Sequence, residues 1–308
     1  MRHRLPAVAS ALLLAVALAA AGCGFGAGKE VGEVSLTVTR DYGADRVLPL
    51  VHDGASESDT VMRVLDRNAA ISTRYGGGFV RSIDGLSEAT HDGRRYDWFY
   101  YVNGVESPVG AADLSLQGGE AIWWDYRNWS AASRVPAVVG SWPHPMIGGY
   151  EGEVHPVTLE CREAVAACTA VRGRLEAAGI ALAPRGKDGA IRVLVGSWAR
   201  LREDPAVAQL EEGPGVSGVF ADFVPRPRGG YLLAGLDEDG RSARDFGPGA
   251  GLVAATRLYD APPVWIVSGT TARAVTAAAG LLDATHLRDR YAVATDGGGE
   301  TPLPLRAR

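Results

Sequence analysis

The sequence predicts an α+β protein in two parts: a β-grasp-like sheet domain over residues 33–130, then an α/β sandwich domain over residues 156–296. Two patterns predict it. In the first part, two strand-like runs, a short amphipathic helix and four more strand-like runs follow one another. That order is the order of a β-grasp sheet with its helix laid across one face. From Val154 onward, strands alternate with helices instead, which calls for crossover connections. A chain of 308 residues, 46% hydrophobic and 22% charged, can fill two such cores and is not a disordered polymer. Its formal charge of −5 argues against nucleic acid as a partner, because phosphate binding needs clustered positive charge.

The first 22 residues read as a processing signal. Arg2, His3 and Arg4 make a basic start, and Ala7 to Ala21 is apolar or small throughout. That run is short of the ~20 residues a spanning helix needs. Ala20-Ala21-Gly22-Cys23 resembles a bacterial lipobox, with Ala20 standing where Leu is commonest. The resemblance implies a lipid-modified Cys23, an anchor on the outer face of a membrane, and an extracytoplasmic location. Residues 23–32, rich in glycine, read as a flexible tether.

Val34, Leu36 and Val38 alternate with polar residues as in a half-buried strand, and a second strand is expected at Val47–Val51. Ser58-Asp59 offers an N-cap to a helix carrying Val61, Met62, Leu65 and Ala69. Strands at Ile71–Tyr75, Phe79–Ile83, Asp97–Val102 and Ala121–Arg127 are separated by Asp84-Gly85, Asp92-Gly93 and Asn103-Gly104 turns. Nine of the 23 aromatic residues lie between Tyr96 and Trp129. Strand alternation puts Trp98 with Tyr100, and Trp124 with Tyr126, opposite Phe99, Tyr101 and Trp123. One helix covers one face of so small a sheet, so the other face is expected to show water a row of aromatic rings. Such a patch marks a binding surface for a flat or ring-shaped ligand. The competing account makes these rings the interface with the second domain and the linker.

Tyr75-Gly76-Gly77-Gly78-Phe79, Tyr96-Asp97-Trp98, Asn103-Gly104, Gly110-Ala111-Ala112 and Gly119-Glu120-Ala121-Ile122-Trp123-Trp124 stand in series. The series resembles the C-terminal β-domain of transcobalamin and intrinsic factor, and the bacterial transcobalamin-like domains grouped as DUF4430. The resemblance covers about residues 34–130, and in the vitamin carriers this domain caps one face of cobalamin. Position by position, it implies Tyr75, Gly77, Gly78 and Phe79 from the loop and Trp98 and Tyr100 from the strand as ligand-binding residues. The exposed-face argument adds Trp124 and Tyr126. Those carriers hold cobalamin against a helical barrel, and no barrel sequence accompanies the domain here.

Residues 131–155, with Pro136, Pro143 and Pro145 among glycines, read as an extended linker packed on a surface by Trp142, Met146 and Tyr150. Beyond it, strands are expected at Val154–Leu159, Ile191–Val195, Val216–Phe223, Tyr231–Gly235, Pro263–Val267 and Tyr291–Ala294. Helices are expected at Ala164–Ala178, around Pro205–Leu210 and at Thr270–Leu282, with a disordered tail over 297–308. Export favours a disulfide between Cys161 and Cys168, with free thiols or a redox pair as alternatives. Seven residues along one helix span ~10.5 Å, too far for a bridge. The disulfide therefore requires Cys161 on the strand end and Cys168 early in the helix.

No nucleophile–base pair, paired carboxylates or metal-ligand spacing is visible. Ser268-Gly269-Thr270-Thr271 reads as capping, with anion binding as the alternative, and Asp237-Glu238-Asp239-Gly240 as a hairpin turn. The expectation is a non-enzymatic, membrane-anchored lipoprotein that needs no cofactor or metal and binds a small ligand for a membrane transporter. Cobalamin or another corrinoid is the ligand the resemblance implies. The alternative is a cell-surface module that binds a partner protein or wall polysaccharide.

Overall fold

The computed structural model describes residues 28–307, a mixed α+β fold that is 19% helical and 39% strand. Cys23 and the rest of the expected signal lie outside the described residues. The first lobe runs β1 (Glu30–Arg40), β2 (Asp45–Arg46), β3 (Val51–Ser56), α1 (Val61–Asn68) and β4 (Ile71–Arg74). It continues with β5 (Phe79–Ile83), β6 (Leu86–Ser87), β7 (Ala89–His91), β8 (Arg94–Val102), β9 (Val105–Glu106) and β10 (Ala121–Asn128). The sheet order is β2-β1-β10-β8-β7, with β3 on β1 and β9 on β8. β1 pairs parallel with β10, which pairs antiparallel with β8. Strands β4, β5 and β6 make a separate small sheet. Helix α1 buries Val61, Met62, Val64 and Leu65 against Val34, Leu36, Val38 and Ile122, forming the core of this lobe.

Three details differ from expectation. The tether ends early, because β1 begins at Glu30 and pairs with β3 from there. The second strand is Val51–Ser56 rather than Val47–Val51: the amides of Val47 and Leu48 both donate to the Val38 carbonyl, making a hook rather than a ladder. The cap of α1 is Thr60, whose hydroxyl accepts from the Arg63 amide. Asp59 is instead tied to the Ser56 amide at 2.9 Å.

The second lobe begins with β11 (Val157–Arg162), α2 (Val165–Ala177), β12 (Ile191–Ser197) and three short helices, α3 (Trp198–Leu201), α4 (Pro205–Ala208) and α5 (Pro214–Ser217). A meander follows, β13 (Ala221–Pro225), β14 (Tyr231–Leu236) and β15 (Ser242–Asp245). The chain then runs through β16 (Gly251–Thr256), β17 (Val264–Gly269), α6 (Ala272–Gly280), α7 (Ala284–Leu287), β18 (Ala292–Thr295) and β19 (Glu300–Leu303). Its six-stranded sheet has the order β11-β12-β17-β16-β18-β19, parallel through β11, β12 and β17 and antiparallel beyond. Helices α2 and α6 pack on one face, through Val171, Leu175, Val275 and Ala278 against Val193, Val195, Val253 and Trp265. The other face meets Trp198, Phe220, Phe223 and Leu233 together with Tyr42, Tyr101 and Trp123 of the first lobe. With both faces covered, every residue of β16 and β17 is buried, the run expected of a doubly covered sheet.

The expected disordered tail is a correction. Residues 300–303 pair with β18 as the edge strand β19, and the Leu305 amide donates to the Leu236 carbonyl. Val216–Phe223 is not one strand either, since Pro214 starts a helical turn that Gly218 ends in the left-handed conformation, and β13 begins at Ala221. The linker is built into both cores: Ala132, Val135 and Val138 join one, and Val139, Met146 and Tyr150 the other. Cys161 in β11 and Cys168 in the first turn of α2 form a disulfide with a Cα–Cα distance of 5.8 Å.

Candidate ligand-binding site

The β8–β10 ladder positions the aromatic residues, and both of its faces are covered. This corrects the expectation of an open aromatic face. On one face, Trp98, Trp124 and Tyr126 are buried with α1 and β5. The indole of Trp98 donates to the Leu86 carbonyl at 2.9 Å, and the Tyr126 hydroxyl donates to Ser87 at 2.8 Å. A lone helix could not cover this face, but the β4–β6 sheet completes the cover. The opposite face lies against the second lobe.

That second face is organised around Asp125, which is fully buried. Its carboxylate accepts from the Thr39 hydroxyl at 2.5 Å, the Tyr42 and Gly43 amides at 3.0 and 3.1 Å, and the Tyr291 hydroxyl at 3.0 Å. Burial pushes its pKa up to about 6, opposed by the Thr39, Gly43 and Tyr291 donors and by the Arg127 charge. Gly43 sits so close to the second lobe that a Cβ there would meet the Asp289 carbonyl oxygen at 2.0 Å. Beside Asp125, the buried Arg127 guanidinium stacks 3.7 Å over Phe99 and donates to the Ala132 carbonyl.

A cleft of about 330 Å³ lies between Gly78–Val80 at the start of β5 and the Ser107–Ala111 segment after β9. Gly78, Phe79, Trp98, Tyr100 and Trp124 line it. Tyr75 and Gly77 stand at the tip of the adjoining loop, where Tyr75 is 86% exposed and Gly77 takes a φ of 100° that favours glycine. Tyr126 lies farther along the sheet, stacked on Tyr96 at 5.8 Å. Phe79 is half exposed. Tyr100 stacks on Trp124 at 4.9 Å, and its hydroxyl holds the Val109 carbonyl at 2.5 Å. Burial raises the Tyr100 pKa to about 12. The buried indole nitrogen of Trp124 has no hydrogen-bond partner among the described residues.

Sequence reasoning missed two acidic residues in the lining, Asp97 and Glu106. Asp97 Oδ1 accepts from the Trp98 amide at 2.8 Å, and burial raises its pKa. Burial also lifts Glu106 to about 7, opposed by Arg127 and by Arg134, whose Nε lies 3.3 Å from its Oε2. Asp97 stood inside the Tyr96-Asp97-Trp98 motif and was legible there. Glu106 carried no signal, because only the fold brings β9 beside Gly78.

A larger cleft, about 400 Å³, lies between the lobes beside Asp41, Tyr96, Glu238 and the C-terminal segment. Several of its charges are already matched: Glu238 with Arg94, and Arg306 with Asp45. Elsewhere, Thr271 caps α6 by accepting from the Ala274 amide. In the turn from Asp237 to Gly240, Asp239 binds Arg94 of the first lobe at 2.8 Å. Among the described residues no group of His, Cys, Asp or Glu is arranged to hold a metal ion, and no helix is long and apolar enough to cross a membrane.

Residues 58–128 match a family model described as a domain of unknown function, DUF4430. No curated protein matches the chain. A solved structure from Ruminococcus gnavus, of a presumed metal-binding protein, aligns at 14% identity and a TM-score of 0.26, covering 32% of this chain and 97% of that one.

Proposed function

We propose that this chain is a membrane-anchored extracytoplasmic lipoprotein that binds a small ligand beside its glycine–aromatic loop and presents it to a membrane transporter. The observation that carries the reading is convergence: five residues chosen from sequence, Gly78, Phe79, Trp98, Tyr100 and Trp124, line a single cleft. Its volume falls at the small end of ligand pockets, so a large ring system would insert an edge and rest its body on Tyr75 and Phe79. The binding unit is a transcobalamin-like β-grasp. The parallel pairing of β1 with β10, with α1 laid over the sheet, supports that assignment. A corrinoid is the first ligand to test. No catalytic step is assigned to the chain.

The test is a titration of the full chain with cobalamin and related corrinoids, followed by tryptophan fluorescence and co-elution on gel filtration. Saturable quenching that Phe79→Ala removes supports the reading; no change with any corrinoid removes the corrinoid from it. Anchoring is tested separately. Cys23→Ser is expected to release the chain from the membrane fraction, and retention there would refute lipid attachment at that residue.

The alternative, a module binding a partner protein or wall polysaccharide, is favoured by one observation: Tyr75, Phe79 and Val109 are exposed together around the cleft mouth. Partner capture that survives Trp124→Phe but is lost in Tyr75→Ala, with no small-molecule affinity, would select it.

A further inference from the structure

The lining of the cleft is chemically one-sided. Five aromatic residues contribute to it, Phe79, Trp98, Phe99, Tyr100 and Trp124, together with two carboxylic acids, Asp97 and Glu106. No Lys, Arg or His lines it. Phe79 presents open ring surface, being 51% exposed, and Tyr100 is half-buried, while Trp98 and Trp124 are buried beneath them. Phe99 already carries the Arg127 guanidinium over its ring at 3.7 Å, so Phe79 and Tyr100 are the rings that offer surface to an occupant. Aromatic faces are regions of negative potential that attract a cation and repel an anion. Between the two acids the roles divide. Glu106 is matched by Arg134. Asp97 uses Oδ1 on the Trp98 amide and makes no direct ion pair among the described residues, Arg74 acting on it only through space, which leaves a carboxylate at the wall.

We infer that the group entering this cleft is a small organic cation, a quaternary or alkylated ammonium, held against the Phe79 and Tyr100 rings with Asp97 as its counter-charge. The inference rests on the cleft being the binding site and narrows what occupies it. A lining of rings and carboxylates gives a neutral ring edge no use for Asp97 and gives an anion only repulsion. A compact, weakly hydrated onium group loses little on leaving water and gains both the ring faces and the carboxylate. The same group enters whether it is a free molecule or a substituent on a larger ligand.

The experiment uses calorimetric titration of the full chain with choline, with tetramethylammonium, and with 3,3-dimethylbutan-1-ol, the uncharged isostere of choline. Choline is expected to bind at least about tenfold more tightly than the isostere. Asp97→Asn, which keeps the oxygen that accepts from Trp98, should weaken choline by about five- to tenfold while leaving the isostere unchanged. Phe79→Ala, at a half-exposed ring, should abolish both with an unchanged thermal transition. Equal binding of choline and isostere overturns the cation while the cleft stands as a binding site. A corrinoid that binds while neither ammonium ion binds or competes also overturns it, and again leaves the cleft in place. If no ammonium ion, isostere or corrinoid binds, this inference and the proposed function fall together.

Discussion

On one face of the β8–β10 ladder, Trp98, Tyr100, Trp124 and Tyr126 pack with aliphatic side chains from α1, β1 and β5. On the other, Tyr101, Trp123, Asp125 and Arg127 meet Tyr42, Tyr291 and the second lobe. The two faces carry similar aromatic content, yet different forces hold them. The first is a hydrophobic core whose polar tips reach nearby carbonyls. The second contains a buried carboxylate with four donors and a buried guanidinium, and it closes only because side chains from both lobes complete the network. A buried charge costs several kcal/mol unless paired and hydrogen-bonded. The second face is therefore specific to its partner lobe, while the first can tolerate a gap, and the gap is the cleft.

The largest expected effect breaks the first face. Trp98→Ala removes a buried indole and leaves its cavity, which should destabilise the chain by about 4 kcal/mol. Urea unfolding monitored by circular dichroism checks this. Loss of binding in that variant would therefore report damage to the fold; Phe79→Ala is the cleaner probe of the cleft. A destabilisation below about 1 kcal/mol would mean that the first face is not the core it looks like.

Asp125→Asn breaks the second face. An amide in place of the carboxylate turns one acceptor into a donor that confronts the Tyr42 amide and the Tyr291 hydroxyl. The expected loss is about 3 kcal/mol. It should appear with separated transitions for the two lobes, since the contact joining them is what fails. A single unfolding transition at unchanged urea would show that apolar contacts alone join the lobes.

The contrast explains what was legible from sequence. Alternation located Phe79–Ile83 and the β8 and β10 strands to within a few residues, because each has one kind of face toward each neighbour. It missed β16 altogether: Gly251–Thr256 is buried on both sides as β17 is, but its glycine and two alanines lack the β-branched and aromatic run that marked Val264–Val267. The tail was misread because Pro302 and Pro304 look like a disordered end, whereas an edge strand tolerates proline. For the site, the loop and strand aromatics and their sorting onto two faces were legible, but not which face is covered. Which side of a sheet meets water depends on what the rest of the chain lays over it, and nothing within residues 33–130 states that.

Acid–base titration sharpens the same comparison, because each face borders a carboxyl with a strongly raised pKa: Glu106 at about 7 by the cleft and Asp125 at about 6 between the lobes. Both lie above their unfolded values, so between about pH 4.5 and 7 the folded chain holds more protons than the unfolded one. Stability should fall as pH rises through that window. Glu106→Gln should reduce the fall by on the order of 2 kcal/mol, allowing for the partial exposure of this side chain. Urea midpoints at pH 5 and pH 8 for both chains provide the measurement. An unchanged slope would take Glu106 out of the effect and leave it to Asp125 and the other buried carboxyls, Asp97 among them.

The smallest expected effect lies where the first face meets solvent. Tyr75 is 86% exposed and has a φ of 52°, in the left-handed region that a tyrosine adopts at a cost. Neither packing nor hydrogen bonding of its ring offsets that cost among the described residues. Tyr75→Gly removes the backbone strain and returns part of the gain as unfolded-chain entropy, for a net change of about 0.5 kcal/mol or less, toward higher stability. Ligand affinity should fall in the same variant. Urea unfolding and calorimetric titration on one preparation decide it: higher stability with weaker binding makes Tyr75 part of the site. Unaltered binding moves the boundary of the cleft inward to Phe79, and the loop tip then belongs to neither face.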